Sequence, residues 1–309
     1  MTDNKCFEAY LDAASKNETL YYRKNSVLSE CCTFRIGGPA DYIIYPKTSD
    51  ELKNLISELK KNEIYFNIFG NGSNVLFDDS GFRGAAVFTS KINNVDINGE
   101  RVKADCGVPI TQLSSMAQKH GLSGLEFAYG IPGSCGGAVY MNAGAYNGEI
   151  KNVLLSSEYF DLITGEVGRL EGDEHCFGYR HSIYMQKDWI VLSAEFGLKY
   201  ADAESVRTIM TDFMHRRVDK QPLEYPNAGS VFKRAPGHFT GKLIQDAGLK
   251  GYTVGGAQVS EKHAGFIINV GRATSSDVRR LIDIIKEKVF AEFGVEIECE
   301  VKYIPPIRQ

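Results

Sequence analysis

Apolar positions along the chain alternate between two rhythms, one of period two and one of period near 3.6. Residues 40–45 (ADYIIY) read as a strand stopped by Pro46. Thr48 with Glu51 makes a capping-box pattern, and Leu52, Leu55, Ile56 and Leu59 share one helical face behind it. Residues 65–69 form a short apolar strand, so the chain opens as a βαβ-like unit. Asn98-Gly99 between 92–97 and 101–104 predicts a hairpin. A helix is expected over 109–120, with Gly121 at its exit. The glycine-rich stretch 129–148 carries no clear rhythm and reads as a long loop. Strands follow at 158–163 and 166–170 around Thr164-Gly165, and again at 189–198.

From about residue 202 the helical rhythm takes over. Val206, Ile209, Met210 and Phe213 form one stripe that ends before Pro222. Val278, Leu281, Ile282, Ile285 and Val289 form another, closed by Gly294. A last strand is expected over 295–304, ahead of Pro305-Pro306. These textures predict an α+β protein in three parts: a lobe over 1–90 joined by 301–309, a β-rich lobe over 91–200, and an α+β domain over 201–300.

Composition narrows the class. At 309 residues the chain is too long for one simple core. A net charge of −4, from 35 basic and 39 acidic residues without a basic run, predicts no nucleic-acid partner. The polar N-terminus lacks an apolar signal core, and no stretch of about eighteen apolar residues occurs. The expectation is a cytoplasmic protein with no membrane association. Seven cysteines include no C-x-x-C pair and no metal-ligand spacing with the six histidines, so reduced thiols and no metal are expected.

Candidate chemistry begins with glycine. Gly70, Asn71, Gly72, Ser73 and Asn74 (GNGSN) follow a strand, where Cβ-free residues let backbone N–H groups nest around an anion. The pentapeptide alone fits an ordinary tight turn equally well. It is not a dinucleotide fingerprint, because Val75 stands where a third glycine is required. The 129–148 loop has six glycines, three tyrosines and no charge, which suits a flat ring and a diphosphate against backbone. Within it Ile131, Ser134, Gly136 and Gly137 are the candidate contacts, and Gly37-Gly38 in TFRIGG forms a third piece.

Taken in order, TFRIGG, GNGSNVLFDDSGFRG and GIPGSCGGAVYMNAGAYNGEI resemble the two-lobed FAD-binding fold of the vanillyl-alcohol-oxidase type. FGYRHSI, KQPLEYPNAGSVFK and GVEIECEVKYI behind them extend the resemblance to the UDP-N-acetylenolpyruvoylglucosamine reductase family over nearly the whole chain. The short 180–198 connection and the short 232–241 segment resemble the family's compact type, which lacks an inserted tyrosine loop.

The resemblance implies non-covalently held FAD, NADPH as co-substrate, and a ping-pong reduction of UDP-N-acetylglucosamine enolpyruvate to the D-lactyl ether. It also implies roles. Arg180 and Glu300 would face the substrate carboxylate as charge builds beside it, Glu300 in its protonated form. Ser230 would deliver the final proton. Arg217 would touch FAD, Lys220 the enolpyruvyl or nicotinamide portion, and Lys250 and His263 the nucleotide sugar.

Read singly, these residues have plainer uses. Arg180 beside Tyr179 fits a surface cation–π pair, and Ser230 in N-A-G-S fits a turn. Glu296, Glu298 and Glu300 alternate like one solvated strand face. His181 also stands where the family usually has aspartate, which leaves the orientation of Arg180 open. The competing reading is an FAD-dependent oxidase of an alcohol or hydroxy acid on the same fold, although no cysteine or histidine occupies a recognised flavin-tether position.

Overall fold

The structure, a computed structural model, describes residues 5–306. Residues 1–4, and 307–309 of the segment joined above to the first lobe, lie outside the described residues. Along the chain run α1 (Lys5–Lys16), β1 (Leu20–Val27), β2 (Pro39–Pro46), α2 (Ser49–Lys61), β3 (Phe66–Phe69), β4 (Val75–Phe77) and β5 (Phe82–Phe88). Then come β6 (Val95–Asn98), β7 (Arg101–Asp105), α3 (Ile110–Lys119), β8 (Leu122–Ser123), α4 (Cys135–Met141), β9 (Gly144–Ala145) and β10 (Gly148–Glu149). β11 (Leu154–Asp161), β12 (Val167–Glu171), β13 (Trp189–Gly197), β14 (Lys199–Tyr200) and α5 (Ala203–Lys220) follow. The last elements are β15 (Asn227–Ser230), α6 (Thr240–Asp246), β16 (Thr253–Val254), β17 (Ala257–Val259), β18 (Phe266–Asn269), α7 (Ser275–Phe293) and β19 (Lys302–Ile304).

The chain falls into two units. One holds the residues up to Arg23 with Ile43–Asn71 and Ala85–Arg216; the other holds Lys24–Tyr42, Gly72–Gly84 and the residues from Arg217 on. β1, β2 and β5 belong with β3 to a sheet of order β1-β2-β5-β3.

In the first unit α2 forms as its pattern predicts. Thr48 caps it by accepting from Glu51 N–H, and Leu52, Leu55, Ile56 and Leu59 are buried. Full burial of such side chains contributes about 1.5–3 kcal/mol each. The antiparallel sheet β12-β11-β13-β7-β6 is the second scaffold, its β6–β7 hairpin turning at Gly99 and Glu100. In the second unit β15-β18-β17-β16 form an antiparallel sheet, and β19 adds in parallel to β4 with Lys302 opposite Val75. α7 starts on a Thr274–Asp277 capping box and stops at Gly294, whose φ of 66° needs the left-handed region open to glycine.

Two expected elements differ. The 129–148 stretch is not a continuous loop, because Ser134 caps a two-turn helix, α4, that buries Cys135, Ala138 and Val139. Its glycines hid the helix from pattern reading. The 295–304 strand is cut to β19, and residues 295–301 make only an isolated pairing of Cys299 with Phe232. α1 and β1 were not foreseen in their polar sequence; α1 buries Phe7, Leu11 and Ala14 along one face.

Candidate functional site

The glycines of the candidate cradle prove to be spaced by the protein's own packing. A Cβ on Gly70 would lie 2.2 Å from Ser134 Oγ, and one on Gly136 would lie 2.9 Å from Cys106 Cβ. In the second unit a Cβ on Gly38 would lie 2.1 Å from the Asp79 carbonyl oxygen, and one on Gly72 2.4 Å from that of Cys31. Gly37, at φ 144°, has room for none beside Phe77 Cβ at 2.7 Å. Each contact brings one loop's backbone down onto another segment.

In the first unit that close packing joins the end of β3 to the start of α4. Asn71 Nδ2 donates to Pro132 O at 3.3 Å. Ile131 N–H closes a turn on Ala128 O at 3.0 Å, and Cys135 and Gly136 N–H bond to Val108 O and Cys106 O at 2.7 and 2.8 Å. Ser134 Oγ accepts from Gly137 N–H at 3.3 Å. Among the described residues the N–H groups of Asn71, Gly133 and Ser134 donate to no protein acceptor. Cβ-free backbone, adjacent donors and the absence of acidic side chains at Gly70, Asn71 and 131–137 suit a diphosphate, so these residues fit FAD.

Arg180 sits at the tip of a tight turn in the same unit. Gly178 N–H bonds to His181 O at 3.1 Å and His181 N–H to Gly178 O at 3.2 Å, leaving Tyr179 and Arg180 between them. Arg180 has φ 52°, a conformation few non-glycine residues adopt. Its guanidinium lies 5.2 Å from the Tyr179 ring centre, and Nη2 donates weakly to Gly144 O at 3.4 Å. His181 turns away, with Nδ1 3.0 Å from Cys176 O and Nε2 3.0 Å from Gln186 Nε2.

A buried polar chain lies just before the turn. His175, 1% exposed, places Nδ1 2.9 Å from Gly172 O and Nε2 2.7 Å from Ser157 Oγ, which also meets the Tyr184 hydroxyl at 2.7 Å. A carbonyl can only accept, so neutral His175 carries its hydrogen on Nδ1 and Ser157 donates to Nε2. Burial pushes the imidazole below its ordinary range. The native state therefore resists a proton that the unfolded chain takes up near pH 6.5. This contribution is full above that pH and is lost progressively as the pH falls from there toward the lower folded-state value. The thermal midpoint of the parent is expected to fall more between pH 7.5 and 5.5 than that of His175→Gln; equal falls in a calorimetric series would refute it.

The second unit brings Ser230, Glu300 and Asn74 together through main-chain bonds. Glu300 N–H donates to Val231 O at 2.7 Å, directly after Ser230 at the end of β15. Asn74 Nδ2 donates to Glu300 O at 3.2 Å, and Lys302 N–H to Asn74 O at 3.0 Å. The three glutamates separate. Glu296 and Glu298 are exposed, Glu298 pairing with Lys233 at 2.6 Å, whereas Glu300 is half-buried. The expected single solvated face disappears because residues 295–301 are not a strand.

The remaining candidates scatter more widely. Arg217 is 8% exposed, with Nη1 donating to Gln221 Oε1 at 3.2 Å; a cation so enclosed suits an anionic counterpart. Ser73 is half-buried, whereas Lys220 and Lys250 are exposed. His263 is pushed below its ordinary range, chiefly by burial and further by the Lys250 charge. Its Nδ1 accepts from Gly265 N–H at 3.1 Å, so the neutral ring presents Nε2–H as a donor. Sequence reasoning missed Asn142 and Ser182, both fully buried beside the Arg180 turn. Asn142 at φ 43° closes α4, and Asn in M-N-A-G was the available signal for a left-handed helix exit.

Comparison with known proteins covers both units. The family profile of the FAD binding domain matches residues 40–171, and that of the UDP-N-acetylenolpyruvoylglucosamine reductase C-terminal domain matches 221–304. A UDP-N-acetylenolpyruvoylglucosamine reductase of Caldicellulosiruptor bescii is 47% identical over 96% of this chain and 94% of its own. One of Clostridium novyi is 44% identical over 97% and 96%. The crystal structure of the Thermus caldophilus reductase superposes with a TM-score of 0.78 at 32% identity, covering 93% of this chain and 99% of that one.

Proposed function

The chain belongs to the UDP-N-acetylenolpyruvoylglucosamine reductases, and we propose that Arg180, Ser230 and Glu300 carry the reaction that defines them. The enzyme reduces the enolpyruvyl ether of UDP-N-acetylglucosamine to the lactyl ether of UDP-N-acetylmuramic acid, a step of peptidoglycan precursor synthesis. FAD, reduced by NADPH, supplies the hydride equivalent. Gly37, Gly38, Gly70–Asn74, Ile131, Ser134, Gly136, Gly137 and Arg217 are the proposed flavin contacts. In this reading 1–90 with 301–309 and 91–200 are the flavin lobes, and 201–300 is the substrate domain. We place the enzyme in the cytoplasm.

The chain's own residues have two tasks. Charge accumulating at the carbon beside the substrate carboxylate spreads into that carboxylate, and cationic or proton-bearing groups stabilise it. Arg180 and a protonated Glu300 take this task. The same carbon then needs a proton, which the Ser230 hydroxyl delivers. The observation that carries the reading is the Glu300 N–H bond to Val231 O, which holds the carboxyl-bearing residue next to the hydroxyl-bearing one. Lys220 is proposed for the enolpyruvyl or nicotinamide portion, and Lys250 and His263 for the nucleotide sugar, His263 as a neutral donor.

Purified protein is expected to be yellow, to release unmodified FAD on denaturation, and to oxidise NADPH rapidly only with the enolpyruvyl nucleotide present. Oxygen consumption with an alcohol or hydroxy acid instead would support the oxidase alternative.

A further inference from the structure

The turn that carries Arg180 is held at both ends by the exit of α4. Asn142 Nδ2 donates to Gly178 O at 3.0 Å and to Glu149 Oε2 at 2.7 Å, while Oδ1 accepts from Lys151 N–H at 3.0 Å. Ser182 Oγ donates to Tyr140 O at 2.7 Å. Gly178 and Ser182 lie two residues on either side of Arg180, and both clamping side chains are fully buried. α4 itself starts at Ser134, within the proposed flavin cradle, so roughly 10 Å of helix separates its two ends. Arg180 keeps φ 52° in a turn with no glycine at that position, and such strain persists only where surroundings impose it. The His181 side chain faces Cys176 and Gln186, which leaves the clamp to Asn142 and Ser182.

The geometry points to Asn142 and Ser182 as positioning residues for the oxidative half-reaction. Through the Gly178–His181 turn they fix the Arg180 guanidinium relative to the loop that starts α4. The inference rests on the proposed role of Arg180. A displacement of about 1 Å in a group that stabilises developing charge can cost up to about 100-fold in rate.

A double-mutant cycle in rapid mixing tests it, with NADPH reduction of the bound flavin and its reoxidation by saturating enolpyruvyl nucleotide read separately. Ser182→Ala is expected to reduce within about twofold of the parent rate and to reoxidise about 10- to 100-fold more slowly. In an Arg180→Ala background the same change is expected to add nothing, because the residue acts through Arg180. An equal loss in both half-reactions, or the same loss with and without Arg180, would overturn the inference. Should Ser182→Ala fail to fold, Asn142→Gly carries the same cycle, since glycine keeps the left-handed backbone while removing the clamp. Undiminished reoxidation in Arg180→Ala alone would overturn the role of Arg180 itself, a result separable from failure of the clamp.

Discussion

Ser230→Ala is expected to leave flavin reduction by NADPH intact and to slow flavin reoxidation by the enolpyruvyl nucleotide by roughly 10²–10⁴-fold, the usual cost of losing a positioned proton donor. The split between half-reactions is the informative part. NADPH oxidation requires no proton from the protein to the substrate carbon, whereas completing the lactyl ether does. Ser230 is exposed at the end of β15, so removing one oxygen should change stability by no more than about 0.5 kcal/mol. A loss measured by stopped-flow absorbance therefore reports chemistry and not unfolding. Equal slowing of both phases would reject the proton-donor role, as would a Ser230→Ala enzyme that reoxidises at the parent rate.

Gly38→Ala is expected to lower stability by about 3 kcal/mol, the upper end of an overpacking cost, and the thermal midpoint by roughly 6–12 °C. The added methyl would meet Asp79 O at 2.1 Å and Gly81 N at 2.6 Å, both backbone atoms that cannot rotate aside. The same turn is bonded through Gly38 N–H to Asp78 O at 2.9 Å. Gly137→Ala should behave in the opposite way. Its nearest neighbour, Ser134 Oγ, is a side-chain atom at 3.3 Å, and alanine is the better helix former by about 0.8–1.0 kcal/mol. That variant should keep its midpoint as apoprotein and lose affinity for added FAD. Calorimetry of the flavin-free proteins with a fluorescence titration of FAD separates the two effects. A Gly38→Ala midpoint within 2 °C of the parent would disprove the packing argument.

The contrast between these glycines marks a limit of pattern reading. A glycine required by a ligand and one required by a neighbouring carbonyl look alike in sequence. Gly38, Gly70 and Gly72 stand out as a cradle motif, yet each first accommodates a protein atom that would clash with a side chain. Glu300 shows the same limit from another side. Alternation grouped it with Glu296 and Glu298, and only the breakdown of the expected strand separated it from them. In α4, helical burial prevailed over the glycine-rich composition of the segment, because Ser134 supplies a cap and Cys135, Ala138 and Val139 reach the core.

What the amino-acid sequence determined by itself were the features with local causes. Periodic apolar faces produced α2, α3 and α7, and α5 formed although Ile209 of its expected stripe stays exposed. Asn98-Gly99 marked the β6–β7 hairpin, and the ordered glycine motifs identified the FAD-binding family. Tertiary structure decided what depends on atoms distant in the chain. It placed Glu300 against Val231, turned Asn142 and Ser182 onto the loop bearing Arg180, and set the loops so close that glycine became obligatory. The physical reason is range. Propensity and capping act over about a turn, whereas a main-chain hydrogen bond between residues 231 and 300 exists only once both sheets have formed.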